Sequence, residues 1–157
     1  MLYTGSHNAW KDSDILKKYA ISGNRGKDAD YRGLCYPALA PKISFWRIWH
    51  SGIGIVPECE NTKYYIIEYW NQVLSKLNPE EVYKELDGSI LLCYEPNGQF
   101  CHRHLVAAWL EITLGVEVPE ARPNGNEIEI IPRSEKYKEY LKKVMGVHEE
   151  ARKVEMA

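Results

Sequence analysis

Six residues able to do chemistry crowd into the stretch 93 to 104: Cys93, Glu95, Cys101, His102, Arg103 and His104. They sit in "SILLCYEPNGQFCHRHLVAAWLEITLG", residues 89 to 115. A thiol becomes a nucleophile when cationic neighbours or a helix N-terminus favour its thiolate. A carboxylate such as Glu95 can take a proton or accept hydrogen bonds from sugar hydroxyls and base amines; it can also simply pair with Arg103. Cys93, inside an apolar run, has an ordinary explanation as a small core hydrophobe. His102 and His104 point to different helix faces, so at most one of them joins Cys101. A metal reading uses Cys93, Cys101 and His104, because positions 101 and 104 share a helical face. It lacks a paired C-x-x-C or a second ligand cluster, so no metal and no cofactor is assigned.

Whether these groups meet depends on the elements that carry them. "SILLCYE" is a continuous apolar run between Gly88 and Pro96, which predicts a strand covered on both faces. "CHRHLVAAWLEITLG" repeats Leu105, Ala108, Trp109 and Ile112 at helical spacing and stops at Gly115. In a parallel sheet, residues 95 to 99 would then leave a strand at its carboxyl end, where open α/β sheets bind ligands. A helix opening near Cys101 would attract an anion and lower the thiol pKa, and Arg103 would act in the same direction.

The remaining elements follow from periodicity. Leu2 to Thr4 are β-prone, and "GSHNAW" supplies turn and capping residues ahead of "KDSDILKKYA", where Asp14, Ile15, Leu16 and Tyr19 predict a helix. A second strand is expected at Ala20 to Ser22. The Gly-, Asp- and Pro-rich chain after it is a candidate functional loop, with Tyr31, Arg32 and Tyr36 as a cleft wall. "KISFWRIWHSG" predicts a short helix packing Phe45, Ile48 and Trp49. "NTKYYIIEYWNQVLSKLNP" predicts the clearest helix, with Ile66, Trp70, Val73 and Leu77 on one stripe, widened by Ile67 and Leu74. Asn78 and Pro79 fit the cap and first position of the next helix. "VEVPEA" and "NEIEIIP" are extended, and "SEKYKEYLKKVMG" is a final helix with Tyr137, Tyr140, Leu141 and Val144 inward. Strands separated by helices predict an α/β fold, mainly a parallel sheet flanked by helices, as a single domain over residues 1–146 with 147–157 as a fraying tail.

Composition narrows the partners. The 157 residues carry 20 basic and 22 acidic side chains, a formal net charge of -2, so a local patch would have to hold any nucleic acid or anionic surface. No apolar segment is long enough to span a bilayer and no leader is evident, which leads to an expectation of a cytoplasmic protein with no membrane partner. The four cysteines, at 35, 59, 93 and 101, are then expected as free thiols. No G-x-S-x-G, P-loop or G-x-G-x-x-G motif occurs, which removes the common hydrolase, NTPase and dinucleotide readings.

"LLCYE", a short loop and "FCHRHLVAAWLE" resemble the signature of the domain-of-unknown-function 488 family, an apolar strand ending L-L-C-x-E and a helix opening C-H-R. "LYTGS" is similar to that family's opening strand, and "YPALAP" with "YWNQVLSKL" to its middle. The resemblance implies a Rossmann-like α/β domain without an established activity. Its recurrent polar residues carry over as Thr4, Cys93, Glu95, Cys101, His102 and Arg103, with Arg25 of "SGNRG" as the match to an arginine after the second strand.

Together these readings lead to the expectation of a small enzyme acting on a nucleotide-like or other anionic substrate at the loop between strand 89–94 and helix 101–114. Cys101 and Glu95 are its catalytic candidates, and Arg103, His102, Thr4, Arg25 and Tyr94 its substrate-binding candidates. The alternative is a non-catalytic binding module for a nucleotide or nucleic acid.

Overall fold

Every residue of Ser89–Cys93, the most apolar run of the chain, is buried, and the strand it forms lies inside a six-stranded sheet. The computed structural model describes residues 1–22, 31, 33–94 and 100–146. In chain order these form β1 (Tyr3–Ser6), α1 (His7–Trp10), β2 (Lys17–Ala20), β3 (Leu34–Cys35), α2 (Ile43–Gly52), α3 (Glu58–Gln72), α4 (Pro79–Leu86), β4 (Ser89–Cys93), α5 (His102–Leu114), β5 (Glu120–Asn124), β6 (Glu127–Ile131) and α6 (Lys136–Val144). The sheet order is β3-β2-β4-β1-β5-β6. All pairings are parallel except the terminal β5–β6 hairpin. The α/β class, with a mostly parallel sheet and flanking helices, is therefore as the strand-and-helix alternation predicts.

Alternation along β4 assigns its side chains to two unequal cores. Leu91 joins the larger one, built with α2 to α6 and centred on Leu105, Trp109, Tyr69 and Phe45. Ile90 and Leu92 face the other side and meet Trp10 and Ala121. The first nine residues of α5 are all buried, since it packs on β1 and β4 with α4 and α6 beside it. Gly115 ends this helix in the left-handed conformation, φ 70°, and Asn78 Oδ1 accepts from the Glu80 and Glu81 amides to start α4.

Three local readings are corrected. The helix expected around Asp14 to Tyr19 is instead β2, hydrogen-bonded in parallel to both β3 and β4. Ile15 and Leu16 pack with Trp10 while Tyr19 packs on the opposite core, so these residues never form the single apolar face a helix needs. In α2, Phe45 is buried but Ile48 is 60% exposed. In α3 the buried face runs through Asn61, Tyr65, Ile66 and Tyr69, and the helix ends at Gln72 before a 3-10 turn at Leu74–Lys76. Of the expected stripe Ile66, Val73 and Leu74 are buried, whereas Trp70 is only half-buried and Ile67 is 36% exposed, because Tyr65 and Tyr69 share the inward face and meet Phe45 and Phe100.

Gly5 in β1 is required by proximity. A Cβ there would lie 2.6 Å from Trp10 Nε1 and 2.9 Å from the Ala121 carbonyl oxygen, the same two atoms that form a 3.0 Å hydrogen bond. Gly5→Ala is expected to cost about 1–3 kcal/mol through forced displacement of the buried indole. Chemical denaturation reads this directly, and an unchanged midpoint would show that β1 and Trp10 separate freely.

Candidate functional site

The parallel strands β1 and β4 end side by side, with Ser6 in register with Cys93. After β1 the chain enters α1, which lies with Trp10 on the smaller core; after β4 it reaches α5 in the larger one. Adjacent strands whose connections leave to opposite faces create a crevice at their carboxyl ends, the usual ligand position in open α/β sheets. His7 stands there, its ring centroid 4.7 Å from Tyr94 and 5.1 Å from Tyr31.

Beneath this edge two thiols share one imidazole. Cys93 Sγ lies 3.4 Å and Cys101 Sγ 3.9 Å from His102 Nδ1. On the other side of the ring, His102 Nε2 is 2.7 Å from the Ile21 carbonyl oxygen. A carbonyl only accepts, so Nε2 carries a proton and donates it to Ile21, and Nδ1 faces both sulfurs. The ring is fixed further by Tyr69, edge-on at 5.6 Å, whose hydroxyl donates to the Leu39 carbonyl at 2.5 Å. Both thiols are 3% exposed.

Cys101 is the N-cap residue of α5, with extended backbone. Burial pushes its thiol pKa up, but hydrogen bonds with Cys93 and His102 and the charges of His102 and Arg103 outweigh that and hold it well below the ordinary thiol range. Cys93 is nearer the imidazole. Cys101 has in addition the helix N-terminus and the adjacent guanidinium, so the thiolate is assigned to Cys101.

Arg103 turns away from these sulfurs into a buried polar network. Its Nε and Nη2 donate to Glu120 at 2.9 to 3.2 Å, a two-pronged pair with Arg103 0% and Glu120 2% exposed. Thr4 donates its hydroxyl to Glu120 Oε1 at 2.7 Å and accepts from Arg133 Nη2. Arg133 also donates to His104 Nδ1 at 3.0 Å and to the Val118 carbonyl at 2.7 Å. Arg103 and Thr4, expected among the ligand contacts, thus hold β1, α5 and β5 together.

The histidine beside the two sulfurs is His102. A grouping of Cys93 and Cys101 with His104 does not form: His104 Nδ1 is taken by Arg133, and its ring stacks on Tyr137 at 6.1 Å. Tyr94 packs against His7 at the carboxyl edge of the sheet. Of the expected cleft wall, Tyr31 reaches His7, whereas Tyr36 donates to Glu85 at 2.5 Å. Glu95, Arg25 and Arg32 lie outside the described residues. Sequence reasoning missed Glu120 and Arg133 as partners of this region; they are 17 and 30 positions beyond Arg103, with no local spacing rule to join them.

Among the described residues, no helix is long and apolar enough to cross a membrane. Comparison with known proteins finds no matching family model, no matching curated protein and no matching solved structure.

Proposed function

We propose that the protein is a small thiol-dependent enzyme acting on an anionic or nucleotide-like substrate at the carboxyl edge between β4 and α5. The observation that carries this reading is the pair of sulfurs on one oriented imidazole, at the carboxyl edge of the sheet and a helix N-terminus. Cys101 acts as nucleophile in its thiolate form. His102 receives its proton at Nδ1 while the Nε2 hydrogen bond to Ile21 keeps the ring in place. The α5 N-terminus favours a negatively charged group beside the sulfur, and the aromatic rings of His7 and Tyr94 lie at the same edge. Arg103 serves by charge and position, since its fork is committed to Glu120. The resemblance to the domain-of-unknown-function 488 family supports this placement, because its shared residues include both cysteines, His102 and Arg103. Glu95, which follows β4 in the sequence, is the proposed proton acceptor by its carboxylate chemistry.

Labelling of reduced, chelator-treated protein with iodoacetamide tests the nucleophile. Below the usual thiol pKa of about 8.5, Cys101 should react faster than the exposed Cys59, and His102→Ala should remove that advantage at least tenfold. A Cys101 slower than Cys59 at every pH rejects the nucleophile. The burial of both sulfurs favours one second reading, a non-catalytic module that binds a nucleotide or other anion. Saturable binding of nucleoside phosphates with no product over long incubation would support it, whereas any turnover eliminates it.

A further inference from the structure

We infer that Cys93, Cys101 and His102 form a binding site for a thiophilic metal ion, with Zn²⁺ as the natural occupant. Tetrahedral zinc with sulfur at about 2.3 Å and imidazole nitrogen at about 2.05 Å requires its ligand atoms to be ~3.6 Å apart for S···N and ~3.8 Å for S···S. Here the two S···N separations are 3.4 and 3.9 Å, one on each side of that value, and all three ligand atoms lie within 4.8 Å of one another. The S···N spans match coordination, and the sulfurs, no more than 4.8 Å apart, need close by at most about 1 Å to reach the tetrahedral S···S distance.

The imidazole is already prepared for the task. Metal-bound histidines usually donate their second ring N–H to a carbonyl or carboxylate, which fixes the tautomer and aims the free nitrogen at the metal. His102 has this arrangement, with Nε2 on the Ile21 carbonyl at 2.7 Å and Nδ1 between the thiols. Two sulfurs and one nitrogen select zinc or Cu(I) over magnesium and calcium, which prefer oxygen. Each thiol that binds releases its proton to solvent, so two thiolates neutralise a divalent ion. The guanidinium of Arg103, next along the helix, is paired with Glu120 and adds little uncompensated repulsion. Among the described residues three ligands are offered, which leaves one tetrahedral position for a further side chain, water or an anionic ligand.

The site coincides with that of the proposed enzyme, and its regulatory consequence rests on that reading: a bound ion withdraws the Cys101 sulfur from nucleophilic attack. The metal proposal itself does not need Cys101 to be catalytic, and separate measurements address the two. Titration of the reduced, metal-free full chain with Co²⁺ under anaerobic conditions should give a sulfur-to-cobalt charge-transfer absorption saturating at one ion per chain, displaced by one equivalent of Zn²⁺. The band should survive replacement of Cys35 and Cys59 by alanine, vanish in Cys101→Ser and Cys93→Ser, and need at least tenfold more Co²⁺ in His102→Ala.

Absence of a charge-transfer band in the unmutated protein overturns the proposal whether or not the variants fold. So does a band that persists in both Cys93→Ser and Cys101→Ser. A normal cobalt titration combined with slow alkylation of metal-free Cys101 would keep the metal site and reject the nucleophile. Fast alkylation without a cobalt band would do the reverse.

Discussion

Arg103→Ala should lower the stability of the fold by about 3–5 kcal/mol, because it strands the Glu120 carboxylate in the interior without its principal partner. Glu120 is held ionised against its own burial. Burial raises its pKa, but the Arg103 hydrogen bonds and charge, with smaller contributions from His104 and Thr4, bring it below the usual carboxylate range. Deleting the guanidinium leaves Thr4 at 2.7 Å and Arg133 at 3.8 Å, which is too little to solvate a buried charge. The penalty belongs to the broken pair, not to the intact pair's net worth. Arg103→Met combined with Glu120→Leu should therefore recover most of the loss. Urea denaturation of the two single variants and the double variant checks this as a cycle. Equal losses that simply add would show that the two side chains are energetically independent, and the 2.9 Å geometry would then have no thermodynamic meaning. The same Arg103→Ala variant should also label more slowly at Cys101, since it removes one of the charges that favour that thiolate.

The boundary between what could and could not be read from the sequence runs along the local-to-distant divide. Ser89–Cys93 and the helix to Gly115 were legible because each carries its own signal, an unbroken apolar run and a 3.6-residue repeat with a glycine stop. Lys17–Ala20 was not, since a short segment with apolar residues at 15, 16 and 19 suits either element until strands on both sides supply hydrogen-bond partners. The two cysteines and the choice of only one flanking histidine followed from helical geometry. Choosing His102 over His104 required knowing that Cys93 approaches from β4 and that the Ile21 carbonyl takes the far side of the ring. Arg103 was expected at an open helix end because Glu120 is invisible at that point in the chain; their pairing exists only once β5 lies beside β1.

This division also explains how one turn of helix serves two ends. Consecutive residues of an α-helix point about 100° apart, so His102, Arg103 and His104 project in three directions. His102 enters the thiol pocket, Arg103 the buried carboxylate, and His104 the Arg133 side of the fold. The thiol site therefore sits on a rigid support whose integrity depends on an ion pair, and conditions that weaken the support should be felt at the sulfurs.

Acid is the condition with the largest expected effect. His104 has its pKa pushed down to about 4, first by burial, then by the charge of Arg103 and, less, of Arg133, with Glu120 opposing. Geometry agrees, since Nδ1 accepts a hydrogen bond from Arg133 Nε and so cannot carry a proton itself. In the unfolded chain the same group titrates near 6.5. Between those two values the unfolded state binds the proton and the folded state does not, so stability falls as pH falls. The contribution is complete above about pH 6.5, declines through the interval, and is lost by about pH 4, a change of about 3 kcal/mol from this one residue. Glu120 adds a loss of the same sign at lower pH, since its folded pKa is also depressed. His104→Gln keeps a neutral acceptor for Arg133 but cannot titrate. Its stability, measured by denaturant unfolding at half-unit steps from pH 7 to 4, should be flatter than the parent's by about one proton's slope. Parallel curves for the two proteins would mean that His104 charges within the folded state, and that the Arg133 contact gives way first.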